Sequence, residues 1–101
     1  MLNDILVVLA DEHRRQLLTA LLEHNPQAAV QTSEGMQLND EQWGDLEVEM
    51  YHNHLPRLEE AGFIRWQKEQ NMVVKGPEFD QIKPVLELLE ENEDEMPIDW
   101  P

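Results

Sequence analysis

The sequence predicts a small α+β domain, mainly helical with one two-stranded β wing, in the order α-α-(weak segment)-α-β-β-α. Three observations carry this. Leu17, Leu18, Leu21 and Leu22 recur at helical spacing and form one apolar stripe. From about Asp45 to Ala61 a second helical pattern ends at Gly62. Directly after it, Phe63-Ile64-Arg65-Trp66-Gln67 and Met72-Val73-Val74-Lys75 read as strands around the polar turn Lys68-Glu69-Gln70-Asn71. A helix stopped by glycine and followed at once by a polar-tipped hairpin is the layout of a winged helix-turn-helix.

The elements follow in order. Asn3 or Asp4 is the expected cap of a short first helix carrying Ile5, Leu6, Val8 and Leu9. Asp11 reads as a fresh N-cap, with Glu12 in the first turn where it complements the helix dipole. His24-Asn25-Pro26 ends that second helix, because proline disfavours helix in the residue before it. Residues 27 to 44 form the weak segment. Ala28 to Thr32 reads as a short extended piece and Ser33-Glu34-Gly35 as a turn, while Asp40 is placed to cap one helical turn.

In the 45–61 helix, Val48, Tyr51, Leu55 and Leu58 fall on the face expected to be buried. Glu49, His52, Asn53, Pro56 and Glu60 fall on the opposite face, and Pro56 is expected to bend the helix. Pro77 is placed to open the last helix, whose stripe is Phe79, Ile82, Leu86 and Leu89 and whose course Pro84 interrupts. The organisation expected is one domain over residues 1–92 and an acidic tail over 93–101, in which Ile98 and Trp100 are candidates for docking on a partner subunit.

Composition bounds the function. Seven basic side chains face 22 acidic ones, for a formal net charge of −15. Affinity for nucleic acid ordinarily draws on Lys and Arg at phosphates, so this balance argues against a polyanion partner at low salt. Molar salt changes that expectation, since screening then acts over about 3 Å. The three lysines, Lys68, Lys75 and Lys83, in an otherwise globular pattern fit a halophile's cytosol. With no cysteine there is no disulfide framework and no thiolate metal site. The longest apolar run, Ile5 to Ala10, is too short for a bilayer, and no basic leader precedes a long apolar segment, so a cytoplasmic location is expected.

Two strings resemble the ArsR-like winged-helix regulators, and most closely their small haloarchaeal members. Leu9-Ala10-Asp11-Glu12-His13-Arg14-Arg15-Gln16-Leu17-Leu18 resembles the family's opening. His52-Asn53-His54-Leu55-Pro56-Arg57-Leu58-Glu59-Glu60-Ala61-Gly62-Phe63-Ile64 resembles its recognition helix running into the wing. The resemblance covers roughly residues 5 to 90. It implies a homodimer that pairs through its terminal helices, here Ile5, Val8, Leu9, Ile82, Leu86 and Leu89, and sets a recognition helix in each major groove of promoter DNA. It implies transcriptional regulation without catalysis or cofactor. His52 and Asn53 then occupy base-facing positions flanked by Glu49 and Arg57, and Lys68, Gln70 and Asn71 fall at the wing tip. The departures are a degenerate supporting helix before Asp45 and a net acidic recognition helix.

Individual residues carry competing readings. Asn53 has the amide that pairs bidentately with adenine, or is an ordinary surface side chain. His52 and His54 point about 200° apart on a helix and cannot chelate one metal. His54 reads as a hydrogen-bonded, partly buried histidine and His52 as an exposed one. Arg14 and Arg15 are candidate phosphate clamps, or ion-pair partners of nearby carboxylates. Paired carboxylates such as Glu59-Glu60 read as solvated faces, and Trp66 as a core or interface residue. No nucleophile–base pair or glycine-rich phosphate loop marks an enzyme. The leading expectation is a dimeric regulator binding DNA through bridging cations; the alternative is a winged-helix module for protein interaction or DNA mimicry.

Overall fold

A computed structural model describes residues 1–30, 38–96 and 100–101 of the chain. It is a mixed α+β fold. The elements are α1 (Leu2–Leu9), α2 (Glu12–Glu23), β1 (Gln27–Ala28), α3 (Asp40–Glu49), a π-helical turn (Met50–His54), α4 (Leu55–Glu60), β2 (Ile64–Gln67), β3 (Met72–Lys75), α5 (Phe79–Glu91) and a 3₁₀ turn (Glu93–Glu95). The turn expected at Ser33-Glu34-Gly35 and the docking expected of Ile98 lie outside the described residues.

Asp11 caps α2 as its sequence context predicts, its carboxylate accepting from the backbone N–H groups of His13 at 2.8 Å and Arg14 at 3.4 Å. The first helix differs from expectation. It starts at Leu2 with Met1 as N-cap, so neither Asn3 nor Asp4 caps it, and Leu6 is exposed while Ile5 and Val8 are buried and Leu9 packs at the core's edge. The last helix begins two residues later than its proline suggested, with Glu78 as N-cap.

The central helix is longer than the apolar period implied. Asn39 and Gln42 form a reciprocal capping box, with Asn39 Oδ1 accepting from Gln42 N at 2.8 Å and Gln42 Oε1 from Asn39 N at 3.1 Å. The helix therefore starts at Asp40, not Asp45, and runs without a break through the π turn into α4. In that turn the Leu55 N–H bonds to the Met50 carbonyl, five residues back. Proline lacks an N–H and its ring crowds the carbonyl four residues earlier, so a widened turn directly before Pro56 accommodates it. The extra residue also shifts the phase. Leu46, Met50, His54, Leu55 and Leu58 are buried, whereas Val48, expected inside, is exposed and Tyr51 is only half-buried.

Gly62 ends the helix at φ 83°. Its N–H bonds to the Glu59 carbonyl at 3.0 Å and that of Phe63 to Leu58 at 3.1 Å, the pair that defines a Schellman cap. The hairpin that follows has the predicted four-residue turn, pairing Ile64 with Lys75 and Gln67 with Met72. The expected two-stranded wing is the larger part of a three-stranded antiparallel sheet, order β1-β3-β2, because Gln27 and Ala28 pair with Val73 and Met72. On the free edge, Glu59 Oε2 accepts the Trp66 backbone N–H at 2.9 Å and so ties β2 to α4.

One core gathers Ile5 and Val8 of α1, Leu17, Leu18 and Leu21 of α2, Leu46, Met50, Leu55 and Leu58 of the central helix, Phe63 just before β2, Ile64 and Val73 of the sheet, and Phe79, Ile82 and Leu86 of α5. This corrects the assigned dimer interface. Ile5, Val8, Ile82 and Leu86 are consumed by the protomer's own core, and Leu9 and Leu89 are half-buried. The apolar side chains left exposed on these helices are Leu2, Leu6, Val7 and Leu88. Trp100, expected to await a partner, packs against the same core. Among the described residues no helix is long and apolar enough to cross a membrane.

Candidate functional site

The 40–60 helix presents an exposed ridge between the hairpin on one side and α1–α2 on the other. On the hairpin side, the Tyr51 ring stacks on Trp66, with centroids 5.5 Å apart and planes inclined by 10°. Asn71, at φ 53° in the wing turn, donates its side-chain amide to the Tyr51 hydroxyl at 2.9 Å. Asparagine tolerates this left-handed conformation better than most residues. Lys68 Nζ sits 5.0 Å from the centroid of the Trp66 indole. The result is a cleft of about 550 Å³ lined by Tyr51, His52, Pro56, Trp66, Lys68 and Asn71. Three of the sequence-assigned residues, His52, Lys68 and Asn71, thus meet at one place. Gln70 is exposed on the same turn.

The other assigned helix residues border the opposite side. Asn53 donates to Glu49 Oε2 at 3.3 Å, so its amide already has a carboxylate partner. Glu49 also lines a hollow of about 310 Å³ with His13, Leu38, Gln42, Asp45 and Leu46. Arg57 lines a third, of about 510 Å³, with Asp4, Val7, Val8, Glu60 and Ala61. Of the seven residues assigned on helix and wing, His52, Lys68 and Asn71 share one cleft.

Arg14 is where the structure departs furthest from the sequence reading. It is 7% exposed. Its Nε donates to the Val8 carbonyl at 2.8 Å, its Nη2 to Val7 at 3.0 Å and its Nη1 to His54 Nδ1 at 3.0 Å. It is neither a phosphate clamp nor a partner of surface carboxylates. It caps the C-terminal carbonyls of α1, a position that favours a cation. Arg15 follows suit in part, with Nη1 on the Leu9 carbonyl at 2.7 Å. Burial pulls the Arg14 guanidinium below its ordinary value, with Asp11 opposing and Arg57 and Arg15 adding to the depression.

His54 is buried, as its position predicted, and its setting could not be read from spacing. Burial lowers its pKa, Asp11 raises it, and Arg14 and His13 lower it further. Asp11 Oδ1 lies 3.6 Å from Nε2, and the His13 ring centroid 5.8 Å from that of His54. Burial pushes the Asp11 carboxyl up, but His54, the two backbone N–H groups it caps and Arg14 together hold it below the usual range. Sequence reasoning missed the Arg14–His54 pairing, the Tyr51–Trp66 stack and the Glu59 tie. A signal existed for the stack, since Tyr51 and Trp66 are the aromatic residues of adjoining elements. None of the sequence-local rules pairs Arg14 with His54. Among the described residues no group of three or more His, Cys, Asp or Glu side chains is arranged to hold a metal ion.

Fold and site define a small α+β domain with a hairpin locked onto a long helix by aromatic stacking. Residues 6–74 match the profile of a domain of unknown function, DUF7344, and the chain belongs to that family. No curated protein and no solved structure matches the chain.

Proposed function

We propose that this chain is a DNA-binding transcriptional regulator of the ArsR-like winged-helix kind, working as a homodimer in the cytoplasm of a halophile. The observation that carries this is the Tyr51–Trp66 stack with its Asn71–Tyr51 hydrogen bond, which brings His52 of the helix beside Lys68 and Asn71 of the wing. A wing held rigidly on a helix delivers phosphate and groove contacts in fixed register, which is what duplex recognition needs. Lys68, Gln70 and His52 supply backbone or base-edge contacts, and Asn53 reads a base by exchanging Glu49 for adenine. Leu2, Leu6, Val7 and Leu88 supply the apolar surface for pairing of the terminal helices. Molar salt screens the carboxylates, and cations bridge the remainder to phosphates.

A second reading is favoured by the charge of the helix itself. α3 carries Asp40, Glu41, Asp45, Glu47 and Glu49 without a basic residue, and among the described residues no helix lies between β1 and α3. That arrangement suits a module that binds a basic protein surface or mimics DNA. Binding of a duplex from the protein's own promoter, followed by fluorescence anisotropy in molar KCl, separates the two. Sequence-selective binding that weakens in Lys68→Ala and Asn53→Ala supports the regulator. No selective binding at any salt concentration leaves the interaction module.

A further inference from the structure

We infer that the cleft between the 40–60 helix and the hairpin is a binding site for a nucleoside phosphate. Its lining divides into two chemical parts. Tyr51, Pro56 and Trp66 supply an apolar, largely aromatic wall, and Lys68, His52 and Asn71 supply cationic and hydrogen-bonding groups at its rim. A planar ring with an anionic substituent matches both at once: the base against the aromatic wall, the phosphate on the Lys68 ammonium. Lys68 is held 5.0 Å over the indole. Its charge therefore lies at the edge of the apolar wall.

Charge selects this cleft over its neighbours. The hollow beside Arg57 contains Asp4 and Glu60, and that beside His13 contains Asp45 and Glu49. No carboxylate lines the helix–hairpin cleft among the described residues. Glu59, on the same helix, accepts the Trp66 backbone N–H, and Glu69 of the wing turn is exposed and does not line the cleft. In a chain with 22 acidic and seven basic residues, a carboxylate-free concavity holding a lysine and a histidine repels an anion less than the other two hollows do. The volume, about 550 Å³, lies within the range of small-molecule sites. Asn71, bound to the Tyr51 hydroxyl by one amide hydrogen, retains a second N–H and its carbonyl oxygen for base or ribose.

The site does not depend on duplex recognition, and its test uses the full chain without promoter DNA. Adenosine 5′-monophosphate, adenosine, inorganic phosphate, a short single-stranded oligodeoxyadenylate and a random duplex are titrated into ¹⁵N-labelled protein and followed by NMR. The monophosphate is expected to shift the Trp66 indole N–H and the Lys68 and Asn71 amides saturably. Adenosine and phosphate, each offering half of the interaction, bind about tenfold more weakly or worse, and Lys68→Ala weakens the monophosphate about tenfold. Lys83→Ala, on α5, leaves binding unchanged. Saturable shifts with the monophosphate identify a free nucleotide as ligand. The same shifts with the single strand alone assign the nucleotide to a strand. A response to duplex only overturns the site while leaving the regulator reading intact. So does binding that Lys68→Ala does not weaken, or the lack of any saturable shift at millimolar monophosphate.

Discussion

Arg14 Nη1 and His54 Nδ1 are 3.0 Å apart, joining residues 40 positions distant in the chain. Because a guanidinium only donates, Nδ1 must accept, and the imidazole is neutral with its proton on Nε2, toward Asp11. The other Arg14 donors hold the Val7 and Val8 carbonyls. One side chain thus fastens the end of α1, the start of α2 and the π turn of the central helix. The ridge that carries His52 and Asn53 is positioned from below by this contact.

Removing that side chain should cost more than a surface charge. Arg14→Ala leaves two helix-terminal carbonyls and the His54 ring nitrogen without their donor, and is expected to destabilise the fold by about 3 kcal/mol. Arg14→Lys should recover less than half of this, because an ammonium lacks the planar fork that serves Val7, Val8 and His54 together. Chemical denaturation at fixed KCl measures both. A lysine variant as stable as the parent would show that charge alone, and not the fork, is what α1 requires.

Acid should loosen the same contact. The folded-state pKa of His54 is lowered, by burial first and by the Arg14 and His13 charges with it, against the opposing pull of Asp11 and Glu49. The unfolded chain therefore takes up the proton first. Its contribution to stability is present above the unfolded value, about 6.5, and is lost as pH falls below it, by up to about 1.4 kcal/mol per pH unit. Asp11, with a lowered carboxyl pKa, acts in the same direction in the more acidic window below about 4. Stability measured from pH 8 to 5 should decline in the parent and decline less in His54→Gln, whose amide accepts from Arg14 without titrating. Parallel curves for the two proteins would remove His54 as the cause.

How much of this was legible beforehand depended on how local the cause is. The Asp11 cap, the Gly62 stop and the Lys68–Asn71 turn follow from short-range rules, and each lies where its residues indicate. The 40–60 helix starts five residues before its apolar stripe because its first turns rest on the Asn39–Gln42 capping box. A regular 3.6-residue period puts Val48 inside, and the π turn before Pro56 breaks that period. Arg14 looked like a free surface cation because its partners are carbonyls of the preceding helix and a histidine far along the chain. Charge counting registers none of these.

The hairpin's grip on the helix is open to a gentle test. Tyr51→Phe keeps the stack on Trp66 and removes only the hydroxyl that accepts from Asn71. The expected cost to global stability is about 1 kcal/mol or less. Its local effect should be larger, with faster amide exchange in residues 68–71 than in β1 or α2. Uniform exchange across the sheet would mean that the hydroxyl does not hold the wing tip.

The acidic surface makes a prediction of opposite sign. The Glu90 carboxyl is raised by partial burial and then by repulsion from Glu23, Glu93 and Glu87. A carboxyl whose folded pKa is raised destabilises the fold once ionised, so its charge works against folding at neutral pH. Glu90→Gln should therefore stabilise the protein in low salt, by about 0.5 kcal/mol for a largely solvent-screened group. In molar KCl, where screening acts over about 3 Å, the gain should shrink toward zero while the parent itself grows more stable. Thermal unfolding of both proteins across a KCl series reads the two effects together. A gain independent of salt would assign the effect to relieved burial of the charge; a gain that vanishes with salt assigns it to repulsion between α5 and the end of α2.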